Sequence, residues 1–199
     1  LSWLGLLVSI SLSACTTPSV NESRYRLLPP ASTANTRSPA LPALTVQIEQ
    51  AAWLNGSAMH YQLSSSAPAL LRYRDSLWAD RPAALLHTQL RQRLADIPLR
   101  PGPAWTLRLT LEQFEQQFAA DLSSQGVVRW HAELRDAHGQ LRARRGLSAS
   151  APASSANAEG GVRALSQASA QLIEETRTAT GVTGDAASLF DLEDRKSVV

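Results

Sequence analysis

Cysteine is nearly absent: Cys15 is the only one in 199 residues. No internal disulfide is available, and a lone thiol nucleophile would need a histidine brought close by the fold. Net charge is also scarce, at +2, and falls to +1 if Asp194, Arg195 and Lys196 are discounted with the tail they sit in. Nucleic-acid binding therefore has no electrostatic support. No segment reaches the roughly 20 apolar residues that a membrane-spanning helix needs. The four histidines, at 60, 87, 131 and 138, show no HxxxH, HxH or paired-carboxylate spacing. There is no G-x-S-x-G elbow and no phosphate-cradling glycine loop. Spacing thus points to no catalytic residue, no metal and no cofactor, although a site assembled in three dimensions stays open. No repeat with a period of about 20 to 50 residues is present, which argues against a solenoid.

Next to these absences stands the segment before Cys15, "LSWLGLLVSISLSA", which is apolar or small throughout and uncharged. Residues 1–14 suit the hydrophobic region of a secretory signal whose basic start is expected to be missing, since the chain opens on Leu1. Leu12, Ser13, Ala14 and Cys15 resemble the bacterial lipobox. That resemblance implies diacylglycerol on the Cys15 thiol, cleavage before it, and a membrane anchor. The alternative is a buried cysteine ending a core helix. The following "TTPSVNES" is polar with Pro18 and reads instead as a solvated tether. Thr16 stands where an inner-membrane retention signal usually has Asp, which implies an outer-membrane destination.

The tail, residues 182–199, ends in "DRKSVV", where Lys196 is the only lysine among 19 Lys and Arg residues. These last six residues match a translated sequencing adaptor, so 194–199 are expected to be artefactual.

Between these ends the pattern predicts one domain over 44–181, with 15–43 as tether, linker and a short extended arm at "ESRYRLLPP". Leu44, Val46 and Ile48 alternate with polar residues as in a half-buried strand. Asn55-Gly56 predicts a turn leading into a strand through Met59, Tyr61 and Leu63, making a hairpin with the preceding strand. "ALLRYRD" reads as another strand. From Trp78 the period lengthens: Asp80 is the expected N-cap, Pro82 lies in the first turn, and Leu86, Leu90, Leu94 and Ile97 form an apolar stripe. Trp105, Leu107, Leu109 and Leu111 share a strand face, with a bulge expected near Phe114. Val128, Trp130, Ala132 and Leu134 face one way in the next strand; residues 137–139 turn the chain into its hairpin partner. A last helix carries Val162, Leu165, Ala168, Leu172 and Ile173, with Gly181 as its stop. The fold class that follows is α+β, a largely antiparallel sheet with two amphipathic helices packed on one face.

The opposite strand face offers Arg129, His131 and Arg135 beside Arg142 and Arg144, a candidate surface for an acidic partner or lipid headgroups. Its alternative is a solvated sheet face. Trp53, Trp78, Trp105 and Trp130 would line a lipid groove or, more ordinarily, the core and its rim. Two glycines in "AEGGVR" are a weak anion-binding cue; otherwise they loosen a helix start.

The order "YRLLPP", "VQIEQAAWLNGSAMHYQL", "LLRYRDSLWADRPAALLHTQLRQRL" and a closing helix resembles the ABC-type transport auxiliary lipoprotein family, which includes paraquat-inducible protein C. Tyr73, Trp78, Ala79, Pro82, Leu85, Leu86 and Leu90 carry the resemblance, which covers roughly residues 24–178. Asn55 departs from it, standing where a charged residue is expected. The resemblance implies a non-enzymatic lipoprotein on the periplasmic face of the outer membrane. Its partners would be a mammalian-cell-entry (MCE) tunnel protein and the associated ABC transporter and permease, with lipid as cargo and homo-oligomers possible. The alternatives are an envelope scaffold without a transport role, or a periplasmic hydrolase with an unrecognised site.

Overall fold

The computed structural model describes residues 22–29, 40–63, 69–95 and 98–182. Among them, seven strands form one sheet: β1 (Ser23–Tyr25), β2 (Leu41–Gln50), β3 (Ala58–Leu63), β4 (Leu70–Trp78), β5 (Leu99–Phe118), β6 (Ser124–Arg135) and β7 (Leu141–Pro152). Helix α1 (Pro82–Ala95) follows β4, and α2 (Ala158–Val182) follows β7. The strand order is β1-β4-β3-β5-β6-β7, with β2 also on β5. The fold is α+β. Its longest ladders, β5 with β6 and β6 with β7, are antiparallel, while β1–β4, β2–β5 and β3–β5 are parallel.

The inner face follows the sequence periods closely. Leu107, Leu109, Leu111, Val128, Trp130 and Leu134 are buried from the strands, and Val162, Leu165, Ala168, Leu172 and Ile173 from α2. Leu86 and Leu90 of α1 join the same core, with Leu94 partly buried against it. Ile97, the expected end of that stripe, lies outside the described residues. The bulge falls between Leu111 and Gln113, and it is why Phe114 points inward where strict alternation would turn it out. Trp78 packs on Phe114, ring centroids 5.2 Å apart, and Trp130 donates from Nε1 to Thr176 Oγ1 at 3.2 Å. Trp105 is half-buried and Trp53 is exposed, so the tryptophans belong to the core and its rim.

Four local expectations need correcting. First, β2 and β3 do not form a hairpin. Both run parallel to β5, β2 beside residues 99–111 and β3 beside 116–118, so the connection advances the chain instead of reversing it. Asn55 has φ −71°, and Gly56 is not among the described positive-φ residues, so the two-residue hairpin turn that requires positive φ at both is not made. A 3-10 turn, Ala52–Leu54, buries Leu54 completely and fixes the step.

Second, Asp80 does not cap α1. Its carboxylate accepts from the neighbouring Arg81 N–H, and the helix N–H of Ala83 is satisfied by Gln50 Oε1 at 3.0 Å from β2. Third, Gly181 does not stop α2, which extends through Val182. Fourth, the glycines of "AEGGVR" lie inside α2 and serve close packing: a Cβ on Gly161 would stand 2.2 Å from Gln116 Oε1. Gly126 plays the same part from β6, where a Cβ would meet the Leu165 backbone nitrogen at 2.5 Å. Together they let the start of α2 sit directly on β5 and β6.

The expected extended arm is built into the domain. β1 pairs with the end of β4, Ser23 opposite Ser76, and Leu27 is buried in the core. Leu28 then passes between the helices, its N–H donating to Ser166 Oγ at 2.9 Å and its carbonyl accepting from Gln89 Nε2 at 2.7 Å. Ordering an otherwise polar segment costs backbone entropy, which the burial of Leu27 and these two part-buried hydrogen bonds offset.

Candidate functional site

The outer face of β5, β6 and β7 brings the predicted basic residues together but does not leave them as a basic patch. Each strand alternates, so Arg129, His131, Glu133 and Arg135 point away from the helices, and the register sets them against residues of β5 and β7. His131 Nε2 lies 3.2 Å from Glu112 Oε1, an ion pair only when the imidazole is protonated. Glu133 accepts from Arg135 at 2.8 Å and from Arg144 at 2.5 Å. These two guanidinium hydrogen bonds, Arg135's first, hold the Glu133 carboxyl below its ordinary value against the opposing effect of desolvation. Arg129 is exposed and has no carboxylate partner among the described residues.

Arg135 and Arg142 do different work. Asp136, 7% exposed, accepts from the N–H groups of His138 and Gln140 and from Arg142 Nε at 2.7 Å. Desolvation raises its pKa, but Arg142 and the two backbone donors outweigh that and leave it lowered. Arg135 reaches over the same turn to the Gly139 carbonyl at 3.1 Å. The candidate face therefore divides into a turn scaffold, Arg135 with Arg142, and an exposed charge ladder, Arg129, His131 and Arg144.

Higher on the same face lies a polar cluster that sequence reading missed. Glu115 is 5% exposed and accepts from Gln113 and Gln117 at 2.8 and 3.0 Å. His60 stands near it under the edge of Trp53, ring centroids 5.3 Å apart, with its Nδ1 buried and unbonded. Desolvation first and Arg72 second push the His60 pKa down, while Glu115 opposes them. The signal was obscured because the bulge shifts Glu115 by one place relative to strict alternation.

A second feature with no clear sequence signal is a groove of about 500 Å³ between β2 and the end of α1. Leu44, Val46, Leu94 and Leu99 make its apolar floor, and His87 and Arg91, one helical turn apart, its rim. On the inner face, Tyr73 donates to Gln116 Oε1 at 2.9 Å, and Gln116 donates to Ser124 at 2.8 Å. Burial, then Tyr61, pushes the Tyr73 phenol up to about 12. Neither place sets a nucleophile beside a base, and among the described residues no three His, Cys, Asp or Glu side chains are grouped to hold a metal ion. The described surface carries a charge ladder, a polar cluster and an apolar groove. Cys15 lies outside the described residues.

Comparison with known proteins agrees with this architecture. The solved structure of protein XCC0632 from Xanthomonas campestris superposes with a TM-score of 0.67 at 18% identity, covering 80% of this chain and 93% of that one. A second, described as an uncharacterized protein, gives 0.60 at 20% identity, covering 79% and 97%. At such identities the likeness establishes the fold. A search of curated proteins finds no match. The sequence model of the ABC-type transport auxiliary lipoprotein component matches residues 25–176, from the buried arm through nearly all of α2. A match across the whole folded domain places this chain in the ABC-type transport auxiliary lipoprotein family.

Proposed function

We propose that this protein is a lipoprotein of the outer membrane's periplasmic face, anchored through Cys15, and an auxiliary component of an ABC-transporter and MCE-type system that moves lipid between the membranes. The observation that carries this reading is the family match over residues 25–176 lying directly downstream of the lipobox-like Leu12-Ser13-Ala14-Cys15. The role is recognition, not catalysis. Arg129, His131 and Arg144 form the exposed docking ladder, and Arg135 with Arg142 holds the turn that frames it.

Affinity capture of the full-length lipidated protein from detergent-solubilised envelopes, read by mass spectrometry, tests the reading. Recovery of an MCE-domain protein or its permease is the expected result. A folded, acylated protein that captures no transporter component would overturn it in favour of an envelope scaffold.

A further inference from the structure

One end of the sheet combines exposed leucine with almost no charge. There Leu63, the last residue of β3, and Leu70, the first of β4, lie at the same end as the β5–β6 turn, "AADLSS" over 119–124; the sequence joining β3 to β4 is "LSSSAPAL" over 63–70. The register sets them together: Leu63 is opposite Phe118 at the end of β5, and Leu70 is opposite Gln62. Leu63, Leu70 and Leu122 are 45%, 39% and 65% exposed. Asp121 is the only charged residue in the two segments, and its carboxylate is engaged by the Ser123 N–H and hydroxyl at 3.0 and 2.6 Å.

Leu122 is the most telling of the three. It has φ 65°, the only positive-φ residue other than glycine among those described. Glycine or asparagine ordinarily fills such a position, because a branched side chain is strained there. The turn is closed by Ala119 N–H to the Ser123 carbonyl at 2.8 Å and Leu122 N–H to the Ala119 carbonyl at 3.1 Å. A strained backbone thus presents a large apolar side chain to solvent at the tip of the longest hairpin.

The direction and length of the chain name the occupant. β1 runs parallel to β4, with Ser23 opposite Ser76, so the N-terminal end of β1 points toward the Leu70 end of β4. From Ser76 to Leu70 is about 20 Å at roughly 3.3 Å per residue, and the β5–β6 turn projects further. From Cys15 to Ser23 the chain spans at most about 29 Å, at roughly 3.6 Å per residue. That reach exceeds the distance to the leucine end, so an anchor at Cys15 is long enough to bring this end of the domain onto the surface in which it is fixed.

We propose that the end bearing Leu63, Leu70 and Leu122 rests on the lipid surface, with Leu122 inserted at the boundary between headgroups and acyl chains. The inference rests on the Cys15 anchor of the proposed function and adds an orientation to it: the β5–β6 turn faces the bilayer and the β6–β7 turn faces away. Apolar side chains at a bilayer interface add binding in proportion to the area they bury, so a short anchor and a leucine tip reinforce each other.

The test attaches the full chain to vesicles of equal parts phosphatidylethanolamine and phosphatidylglycerol. Attachment is through the native acyl chains, or through a maleimide lipid on Cys15 should mass spectrometry find that thiol unacylated. Hydrogen exchange is then compared on the vesicles and after release by detergent. Peptides over 119–123 and 69–71 should exchange several-fold more slowly on the vesicle, and peptides over 137–141 should not change. Leu122→Asp, which suits the same backbone conformation, should abolish the protection at 119–123 without altering exchange in α2. Equal exchange on and off the vesicle, or protection at 137–141 instead, would overturn the orientation. An unacylated Cys15 would count against the anchor reading alone, because the maleimide arm still reports on the tip.

Discussion

The two ends of the β5–β6–β7 sheet are built from opposite chemistries. Where β5 turns into β6, two connections carry a single charge and three exposed leucines. Where β6 turns into β7, Asp136 collects Arg142 and two backbone donors, Arg135 closes over Gly139, and Glu133 is gripped by two guanidiniums. One end avoids water only poorly and stores backbone strain; the other is held by charge-assisted hydrogen bonds. The difference teaches that a single small domain can carry an apolar end and a charge-bonded end at once, which is what the proposed orientation requires, provided a shared core keeps the two ends rigidly apart.

That provision can be broken first. Trp130 sits midway along β6, fully buried and bonded to Thr176 of α2. Trp130→Ala should cost about 3–5 kcal/mol. In urea, both ends should unfold in one transition, monitored by exchange at 119–123 and 137–141. Two separate transitions would show that the ends are independent units. Gly126→Ala acts nearer the leucine end, where the new methyl would meet the backbone of Ala164 and Leu165. A cost of about 1–3 kcal/mol is expected, with the start of α2 displaced from β6.

Leu122→Gly sharpens the contrast in the other direction. Removing a branched side chain from positive φ should stabilise the free protein by up to about 1 kcal/mol in urea titration, while weakening its contact with vesicles. A loss of stability would mean that Leu122 packs in the free domain.

The smallest effect belongs to acid. Glu133 and Asp136 both have folded pKa values below their ordinary 4.5 and 3.8. Their stabilisation is therefore fully present above those ordinary values and is lost as pH falls through the lowered ones. Amides at 137–141 should lose protection below about pH 4, corrected for intrinsic exchange, before those in α2. Asp121, lowered by its hydrogen bonds from Ser123, gives the leucine end a response of the same sign.

Much of this architecture was legible because a single period governs each element. Val128, Trp130 and Leu134 declare one face of β6 by alternation, and Leu165, Ala168 and Leu172 declare the core side of α2. What escaped depends on contacts distant in sequence. Nothing local says that Gln50 will bond the first turn of α1, that Asn55-Gly56 will step along β5 instead of reversing, or that Leu28 will pass between the helices. That Arg129, His131 and Arg135 share one strand face with Arg142 and Arg144 was legible from alternation. Its charge balance was not, since Glu112 lies on a neighbouring strand and Asp136 sits at the turn, and the arginines alone suggested a basic patch. The groove between Leu44 and Leu94 likewise needs two elements brought together before it exists.

The most direct test of a two-ended molecule is photo-crosslinking in living cells, with a benzophenone amino acid placed at 122 in one strain and at 129 in another. The account predicts lipid adducts at 122 without a protein partner, and at 129 an adduct with an MCE-domain protein. A transporter component captured at 122, or lipid captured at 129, would contradict it.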